Sequence, residues 1–246
     1  MSNRIFVAGA TGAVGARLVP LLLAAGHRVT GTTRRPERAA ALARAGAEPV
    51  VVDAFDRAAL IQAVVAARPD VVIHQLTDLP PGLDPARMAD ALPRNARLRA
   101  EGTANLAAAA VAAGARRLVA QSIAWIYADG PAPHGEDDPL ENPAEPARRV
   151  TIDGVKSLER ITRATPGLVG IVLRYGRFYG PGTGVDAPAA APTVHVDAAA
   201  QAALLAVAEA DAGIFNIAEP NPVVSIARAR DILGWDPGFR LSEGPR

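Results

Sequence analysis

Three glycines near the start of the chain, Gly9, Gly12 and Gly15, have the G-x-x-G-x-x-G spacing of a loop that binds phosphate. The first glycine allows a tight turn, the second lets the backbone approach a pyrophosphate, and the third lets a helix pack closely. The helix that begins behind them presents free N–H groups and the positive end of its dipole. We therefore predict a dinucleotide-binding loop, the alternative being a structural turn that binds nothing. Its predicted contact residues are Gly9, Thr11, Gly12, Ala13, Val14 and Gly15.

The residues after the second apolar stretch indicate which dinucleotide is bound. A carboxylate at this place would hydrogen-bond the adenosine ribose hydroxyls and repel a 2′-phosphate. The chain instead has Thr32 and Thr33, followed by Arg34 and Arg35. Because guanidinium groups pair well with phosphate, we predict NADP(H), with NAD(H) as the second choice. The alternative is that both arginines simply begin a solvated helix.

Asp53 and Ala54 end the third apolar stretch and complete the predicted adenosine contacts. The Asp53 carboxylate is placed to meet the adenine amino group. Its alternative role is to cap the helix that follows.

Strand and helix patterns alternate along the first half of the chain and must position these groups. Strands are predicted at 4–9, 27–33, 48–53, 70–75 and 116–122, with helices at 13–25, 36–45, 57–67 and about 86–113. This alternation predicts an α/β fold, a Rossmann-type doubly wound parallel sheet. The second half predicts a helix at 147–164, a strand at 168–174 and a helix at 197–210. We expect a single domain over 1–246.

The composition excludes several classes of site and partner. The chain has no cysteine, so disulfides, thiolate metal ligands and cysteine nucleophiles are ruled out. Its four histidines are dispersed, and no metal site is predicted. The formal charge is +1 and the arginines are scattered, which argues against a nucleic-acid partner. With no apolar stretch near the ~20 residues of a membrane span and no signal-peptide pattern, we expect a cytoplasmic protein without a membrane partner.

Longer motifs are spread over nearly the whole chain: GATGAVG, VVIHQLT, EGTANLAAAAVAAGARRLVAQS, LRYGRFYGPG, HVDAAAQAAL, IFNIA and ILGWDP. In combination they make the chain resemble the extended short-chain dehydrogenase/reductase family, in its NAD(P)-dependent epimerase/dehydratase group. The resemblance implies a small-molecule substrate. It also implies a homodimer formed through the helices at 86–113 and 147–164.

The resemblance assigns further residues to the cofactor. Gln75, Leu76 and Thr77 would pass beside a cofactor ribose, and Tyr175 would line the nicotinamide pocket. The family's acid and base are a Tyr-x-x-x-Lys pair, whose members share one face of a helix. Lys156, the only lysine in the chain, matches the family lysine and is expected to hold the nicotinamide ribose.

Two of the family's catalytic positions carry apolar residues in this chain. Ile152 stands four residues before Lys156, where the family has tyrosine, and Ile123 replaces its serine or threonine. Isoleucine can neither donate nor accept a proton. Ser122 and Tyr127 are the nearest polar substitutes, and with Lys156 they are the predicted catalytic residues.

These residues predict an NADP(H)-dependent oxidoreductase of atypical mechanism, acting on a small organic carbonyl, imine or activated alkene. One alternative is a non-catalytic NADP(H)-binding sensor or partner-binding protein, and another is a sugar-nucleotide epimerase or dehydratase-like enzyme. Only short segments stand where the family carries a substrate domain. We therefore expect a reduced C-terminal substrate cap, contributed by about 176–194 and 213–246.

Overall fold

A computed structural model of the chain describes residues 2–188, 190–208 and 211–242. Its strands are β1 (Arg4–Ala8), β2 (Arg28–Thr33), β3 (Glu48–Val51), β4 (Val71–His74), β5 (Arg117–Ile123), β6 (Val169–Tyr175), β7 (Arg177–Tyr179), β8 (Thr193–His195) and β9 (Gly213–Ile217). Its helices are α1 (Ala13–Ala24), α2 (Pro36–Arg44), α3 (Arg57–Ala67), α4 (Pro85–Arg97), α5 (Thr103–Ala112), α6 (Pro146–Ala164), α7 (Val196–Leu205) and α8 (Ala227–Leu233). A short 3₁₀ turn covers Pro81–Leu83.

Seven strands form one sheet in the order β3-β2-β1-β4-β5-β6-β9. Every neighbouring pair in it is parallel. The chain winds outward in one direction from β1 to β3 and in the other from β4 onward, so the order reverses between β1 and β4. The predicted α/β class and the Rossmann-type doubly wound sheet are confirmed. Such a reversal opens a crevice at the carboxyl ends of the two strands.

Helices cover both faces of the sheet, which explains its continuous apolar strands. In β1, Ile5 and Val7 face α1 and α7, whereas Phe6 and Ala8 face α3 and α5. Buried alanines along α7 let α1 lie close to it, because a methyl side chain keeps the two backbones near each other. The two layers therefore bury β1 and β4 on both faces beneath the crevice.

The turn between β1 and α1 depends on glycine at two close backbone contacts. Gly9 has a φ of +89°, and a Cβ there would lie 2.7 Å from the carbonyl carbon of Gln75. A Cβ at Gly15 would lie 2.2 Å from the carbonyl oxygen of Gly9. Any other residue at Gly15 would push α1 away from the turn. The motif therefore sets how closely α1 approaches the sheet.

The helix expected at about 86–113 is divided in the structure. Helices α4 and α5 are joined by a π-helical turn at Leu98–Gly102. The sequence predicted one regular helix over this stretch, so the turn is a difference from that expectation. Turns of this kind often lie at functional sites.

The segments assigned to the C-terminal cap have two different locations. Strands β7 and β8 pair in parallel as a separate two-stranded sheet. Strand β9 instead pairs with β6 in the main sheet, so the segment from 213 onward begins as part of the sheet. Residues 189 and 243–246 of the predicted cap, and 209–210 of the predicted helix 197–210, lie outside the described residues.

Within the described ranges, no helix combines the length and the apolar character needed to cross a membrane.

Gly15→Ala tests the contact between α1 and the turn. The added methyl would collide with the carbonyl oxygen of Gly9, so we expect the free energy of unfolding to fall by about 2 kcal/mol. Urea unfolding followed by circular dichroism measures the change. Gly135→Ala is the control, because nothing lies within 4 Å of a Cβ added there. Equal losses in the two variants would contradict the argument.

Candidate active site

A cavity of about 760 Å³ opens at the carboxyl ends of β1, β2, β4 and β5. It lies at the point where the strand order reverses, the usual ligand position in open α/β sheets. Its walls come from the glycine loop, the arginines after β2, the segment after β4, and an aromatic segment after β5 and β6.

The glycine loop forms the wall beside the start of α1. Thr11, Gly12, Ala13 and Val14 line the cavity together with Gly9. Gly12 is the extended N-cap of α1, and no side chain caps this helix. The first-turn N–H groups are therefore available to an anion in the cavity.

Gly15 has a different place from the rest of the predicted loop. It is buried beneath the turn and is not one of the described residues that line the cavity. This position agrees with the predicted role of Gly15 in close helix packing. It does not agree with a direct contact between Gly15 and the cofactor.

The residues after β2 bring positive charge to the cavity. Arg34, Arg35 and Arg38 all line it. Arg38 Nη1 donates a hydrogen bond to the carbonyl oxygen of Thr11 at 3.3 Å, which joins α2 to the glycine loop. A guanidinium of Arg34 lies 3.6 Å from the Asp78 carboxylate. Arg38 was not predicted as a site residue, although its place one helical turn after Arg34 was an available signal.

Asp53 and Ala54 line the cavity as well. Asp53 Oδ1 accepts a hydrogen bond from the backbone N–H of Phe55 at 2.9 Å. The residue that caps α3 is Asp56, whose Oδ1 accepts from the N–H of Ala59. The alternative role of Asp53 as the helix cap is therefore wrong.

Gln75 carries a buried oxygen for which the described residues provide no partner. Its Nε2 donates to the Tyr175 hydroxyl at 3.4 Å, whereas its Oε1 makes no hydrogen bond. An unpaired buried acceptor costs about 1–3 kcal/mol. Gln75, Leu76 and Thr77 all line the cavity. This oxygen indicates a place for a ligand that brings a hydrogen-bond donor.

Ser122, predicted to be catalytic, does not face the cavity. Its Oγ donates to Glu159 Oε1 at 2.7 Å, and the residue is buried. Successive residues of a strand point to opposite faces, so Gln121 and Ile123 line the cavity and Ser122 points to α6. The expected contact of Ser122 with cofactor or substrate does not fit this arrangement.

Lys156 is also directed elsewhere. Its Nζ donates to the carbonyl oxygen of Glu141 at 2.9 Å, and it borders a second, open cavity together with Glu136 and Asp137. Val155, one residue earlier and about 100° round the helix, occupies the inward direction. In this arrangement Lys156 is not among the described residues that line the cavity, and its contact with the nicotinamide ribose stays a prediction.

Tyr127 and Tyr175 are not free to exchange protons with a ligand. The Tyr127 hydroxyl donates to Asn216 Oδ1 at 2.6 Å and accepts from Arg174 Nη1 at 2.9 Å. The Tyr175 hydroxyl donates to the carbonyl oxygen of Ala199 at 3.2 Å. Burial raises the pKa of both phenols, which makes them poor bases near neutral pH. Neither residue is among the described ones that line the cavity.

Ile123 and Ile152, which the resemblance matches to the family's acid/base positions, lie in an apolar cluster. Ile123 and Ile152 are buried with Ile126 and Val155. Of these, Ile123 lines the cavity. The wall beside the end of β5 therefore offers no proton from this cluster.

Four other side chains at this end of the cavity were not predicted as site residues: Arg99, Trp125, Arg177 and Phe178. The guanidinium carbon of Arg177 lies 4.5 Å from the centre of the Trp125 ring. Arg99 comes from the π-helical turn and is 7% exposed. Burial lowers the pKa of Arg99 to about 10, so it remains charged at neutral pH.

A buried ion pair joins α6 to β6 beside the cavity. Arg174 Nε and Nη2 donate to the two carboxylate oxygens of Glu159 at 2.9 and 2.7 Å. The same guanidinium reaches the Tyr127 hydroxyl and the carbonyl oxygen of Glu136. Two-pronged pairs of this kind are strong and directional. The pair thus accounts for the orientation of both Ser122 and Tyr127.

Within the described part of the chain, no group of three or more His, Asp or Glu side chains is arranged to hold a metal ion.

Known proteins resemble the chain in sequence and in fold. The model of the NAD dependent epimerase/dehydratase family matches residues 5–193. A Streptomyces protein named 3-diazoavenalumate denitrifying reductase is 50% identical over 189 residues, 74% of this chain and 58% of the relative. UDP-glucose 4-epimerase of Mycolicibacterium smegmatis is 35% identical over 150 residues, 58% of this chain and 46% of the relative. The chain thus spans about half the length of these two curated relatives.

Solved structures of low sequence identity share the fold. A UDP-glucose 4-epimerase of Thermotoga maritima, with UDP-glucose, has a TM-score of 0.76 and 20% identity over 98% of this chain and 94% of that one. A UDP-glucose 4-epimerase of Thermus thermophilus, in complex with NAD, has a TM-score of 0.73 and 22% identity over 99% of this chain and 96% of that one.

Glu159→Gln tests the buried ion pair. It leaves the Arg174 charge buried without a carboxylate, so we expect the free energy of unfolding to fall by about 3 kcal/mol. Urea unfolding is again the measurement. The control is Glu101→Gln, which removes an exposed partner of Arg97 and should lower the free energy of unfolding far less. A small effect at Glu159 would show that the pair does not organise this region.

Proposed function

The chain belongs to the NAD dependent epimerase/dehydratase family, and we propose that it is an NADP(H)-dependent reductase whose reaction needs no proton from the protein. The family match supports a nicotinamide dinucleotide as cofactor. Three parts of the proposal do not follow from the family match: the choice of NADP(H), the absence of an acid/base pair, and the class of substrate.

The residues of the cavity fit a dinucleotide. The uncapped N-terminus of α1 offers N–H groups for the pyrophosphate, with Gly12 leaving room for close approach. Asp53 is available to the adenine, and the backbone after Gln75 to a ribose. The unpaired Oε1 of Gln75 is an acceptor for a donor on the bound molecule. When bound, the reduced nicotinamide supplies a hydride.

The preference for NADP(H) rests on charge after β2. Arg34, Arg35 and Arg38 line the cavity there, and β2 itself ends in the neutral Thr32 and Thr33. A 2′-phosphate would find three guanidinium groups in this part of the wall.

The proposed mechanism rests on where three polar side chains make their contacts. Ser122 and Tyr127 donate their hydroxyl hydrogens to Glu159 and Asn216, and Lys156 Nζ donates to the carbonyl oxygen of Glu141. Ile123 and Ile152 fill the positions of the missing groups. A ketone or imine reduced here would have to take its proton from water. A substrate that accepts hydride and releases a leaving group needs no proton at all.

A diazo compound is such a substrate, and the name of the 50% identical relative includes both a diazo acid and the loss of nitrogen. An aryl diazonium ion that gains one hydride forms a C–H bond, and its C–N bond breaks with the electron pair leaving in N₂. Charge and atoms balance without a proton. We propose an aromatic diazo compound as the substrate class, because Trp125 and Phe178 form a wall suited to a flat ring.

The alternative of a non-catalytic NADP(H) sensor is favoured by the same loss of acid/base groups. The reductase and the sensor differ in whether hydride is transferred. A sensor binds the nucleotide and transfers no hydride. A sugar-nucleotide epimerase has less support, since it requires a reversible proton transfer at the substrate hydroxyl.

We further propose that the chain acts as one domain, as a homodimer and in the cytoplasm. The family resemblance supports dimerisation through α4 and α6. Val150, an apolar side chain of α6 that is 39% exposed, is a suitable contact for a second copy.

The cofactor preference is tested with Arg34→Ser/Arg38→Ser. Loss of two charge-assisted contacts, each about 1.5–3 kcal/mol, should raise the Kd of NADPH at least tenfold and leave the Kd of NADH within twofold. Fluorescence titration measures both constants. Arg44→Ser, a change on the exposed last turn of α2, is the control. An equal loss for both nucleotides would argue against binding of the 2′-phosphate.

The proposed reaction is tested with 4-carboxybenzenediazonium and NADPH deuterated at nicotinamide C4. We expect N₂ release above the enzyme-free rate, and benzoate that carries deuterium from one face of the labelled cofactor. With unlabelled NADPH in D₂O, the ring carbon should carry hydrogen alone. Solvent deuterium in the product would indicate a proton-dependent route. NADPH binding without any turnover would favour the sensor.

A further inference from the structure

We propose that Arg99 binds a carboxylate of the substrate and so selects aromatic acids over their neutral analogues. This inference rests on the proposed function, since it concerns the substrate of the same cavity.

Arg99 is a buried cation without a protein partner. It is 7% exposed and lines the cavity, and the described residues offer it no hydrogen bond or ion pair. Arg174, the other arginine with so little exposure, has both oxygens of Glu159. The guanidinium nitrogens of Arg99 are not among the fully buried atoms that lack a partner, so they are open to the cavity. A guanidinium that faces a cavity without a carboxylate of its own is placed to bind an anion that enters it.

The charges near Arg99 do not neutralise it. The Glu159 carboxylate attracts the Arg99 guanidinium electrostatically, but it is already hydrogen-bonded by Arg174 and Ser122. Arg148 adds positive charge, with its own guanidinium held by Glu141 and the carbonyl oxygen of Trp125. The region therefore carries an excess of positive charge.

The π-helical turn places Arg99 in this position. Leu98 and Arg99, the first two residues of the turn, both line the cavity. Gly102 ends the turn, and a Cβ there would lie 2.7 Å from Leu98 Cδ1. The extra residue of a π turn rotates the following helix by about 100° relative to a regular α-helix. The turn therefore directs Leu98 and Arg99 to the cavity and α5 to the core.

A carboxylate on an aromatic ring fits the surroundings of Arg99. Ile123, Trp125 and Phe178 supply apolar wall, and Arg177 lies over the Trp125 ring. A guanidinium donates two parallel hydrogen bonds, the geometry that a carboxylate accepts. The cofactor phosphates have their own donors at the glycine loop. This leaves Arg99 for an anion on the second ligand.

The test compares 4-carboxybenzenediazonium with its 4-carboxamide in the wild type and in Arg99→Gln. We expect the acid-to-amide ratio of kcat/KM to fall at least tenfold in the variant, with most of the loss in KM. Arg99→Lys should restore part of the ratio, and the Kd of NADPH should stay within twofold. Arg160→Gln removes an exposed guanidinium that borders the second cavity and should leave the ratio unchanged.

Two further measurements separate the possible results. Arg99→Met should raise the melting temperature, because an apolar side chain of similar length replaces an unpaired buried charge. Calorimetry of 4-hydroxybenzoate and 4-hydroxybenzamide, added to the NADP⁺-saturated protein, tests acid selection without turnover. An unchanged acid-to-amide ratio, or a rise in the Kd of NADPH matching the rise in KM, would overturn the role of Arg99. Absence of wild-type turnover together with acid-selective binding would instead reject the proposed reaction and keep the carboxylate site.

Discussion

The arrangement of the site depends on the buried ion pair between Glu159 and Arg174. It joins α6 to β6 at the end of the sheet where the cavity opens. One oxygen of Glu159 also takes the hydrogen of Ser122, and Arg174 holds Tyr127. Because both partners are buried, neither can exchange its contacts for water without a large cost. The pair thereby keeps the hydroxyl groups of Ser122 and Tyr127 bound outside the cavity.

The Ser122 and Tyr127 hydroxyls are bound elsewhere, and arginines are the most numerous charged groups among the described residues of the cavity. Arg34, Arg35 and Arg38 stand at the residues after β2, and Arg99 and Arg177 stand near the end of β5. Guanidinium groups keep their protons at neutral pH, so they bind and orient anions without acting as acids. These guanidinium groups are the basis of the proposed hydride transfer between two anionic ligands.

The contrast with the structural neighbours illustrates how one fold carries different chemistry. The UDP-glucose 4-epimerases share the doubly wound sheet at TM-scores of 0.76 and 0.73, yet their identities of 20% and 22% say nothing about the site. The sequence relative named as a reductase is much nearer, at 50% identity. In this chain Ile123 of β5 and Ile152 of α6 pack together in one buried cluster.

The sequence by itself determined the sheet, the glycine turn and the arginines after β2, because each depends on residues adjacent in the chain. Gly9 and Gly15 are required by a local turn, and the apolar strands by burial on both faces. Only the tertiary structure decided which side chains reach the cavity. The direction of Lys156 depends on how α6 rotates against β5, and that of Arg99 on the π turn between α4 and α5. Neighbouring residues of a helix point about 100° apart, so a shift of one residue moves a side chain into the cavity or out of it. The rotation of each helix about its axis is set by its packing against elements that are distant in the chain.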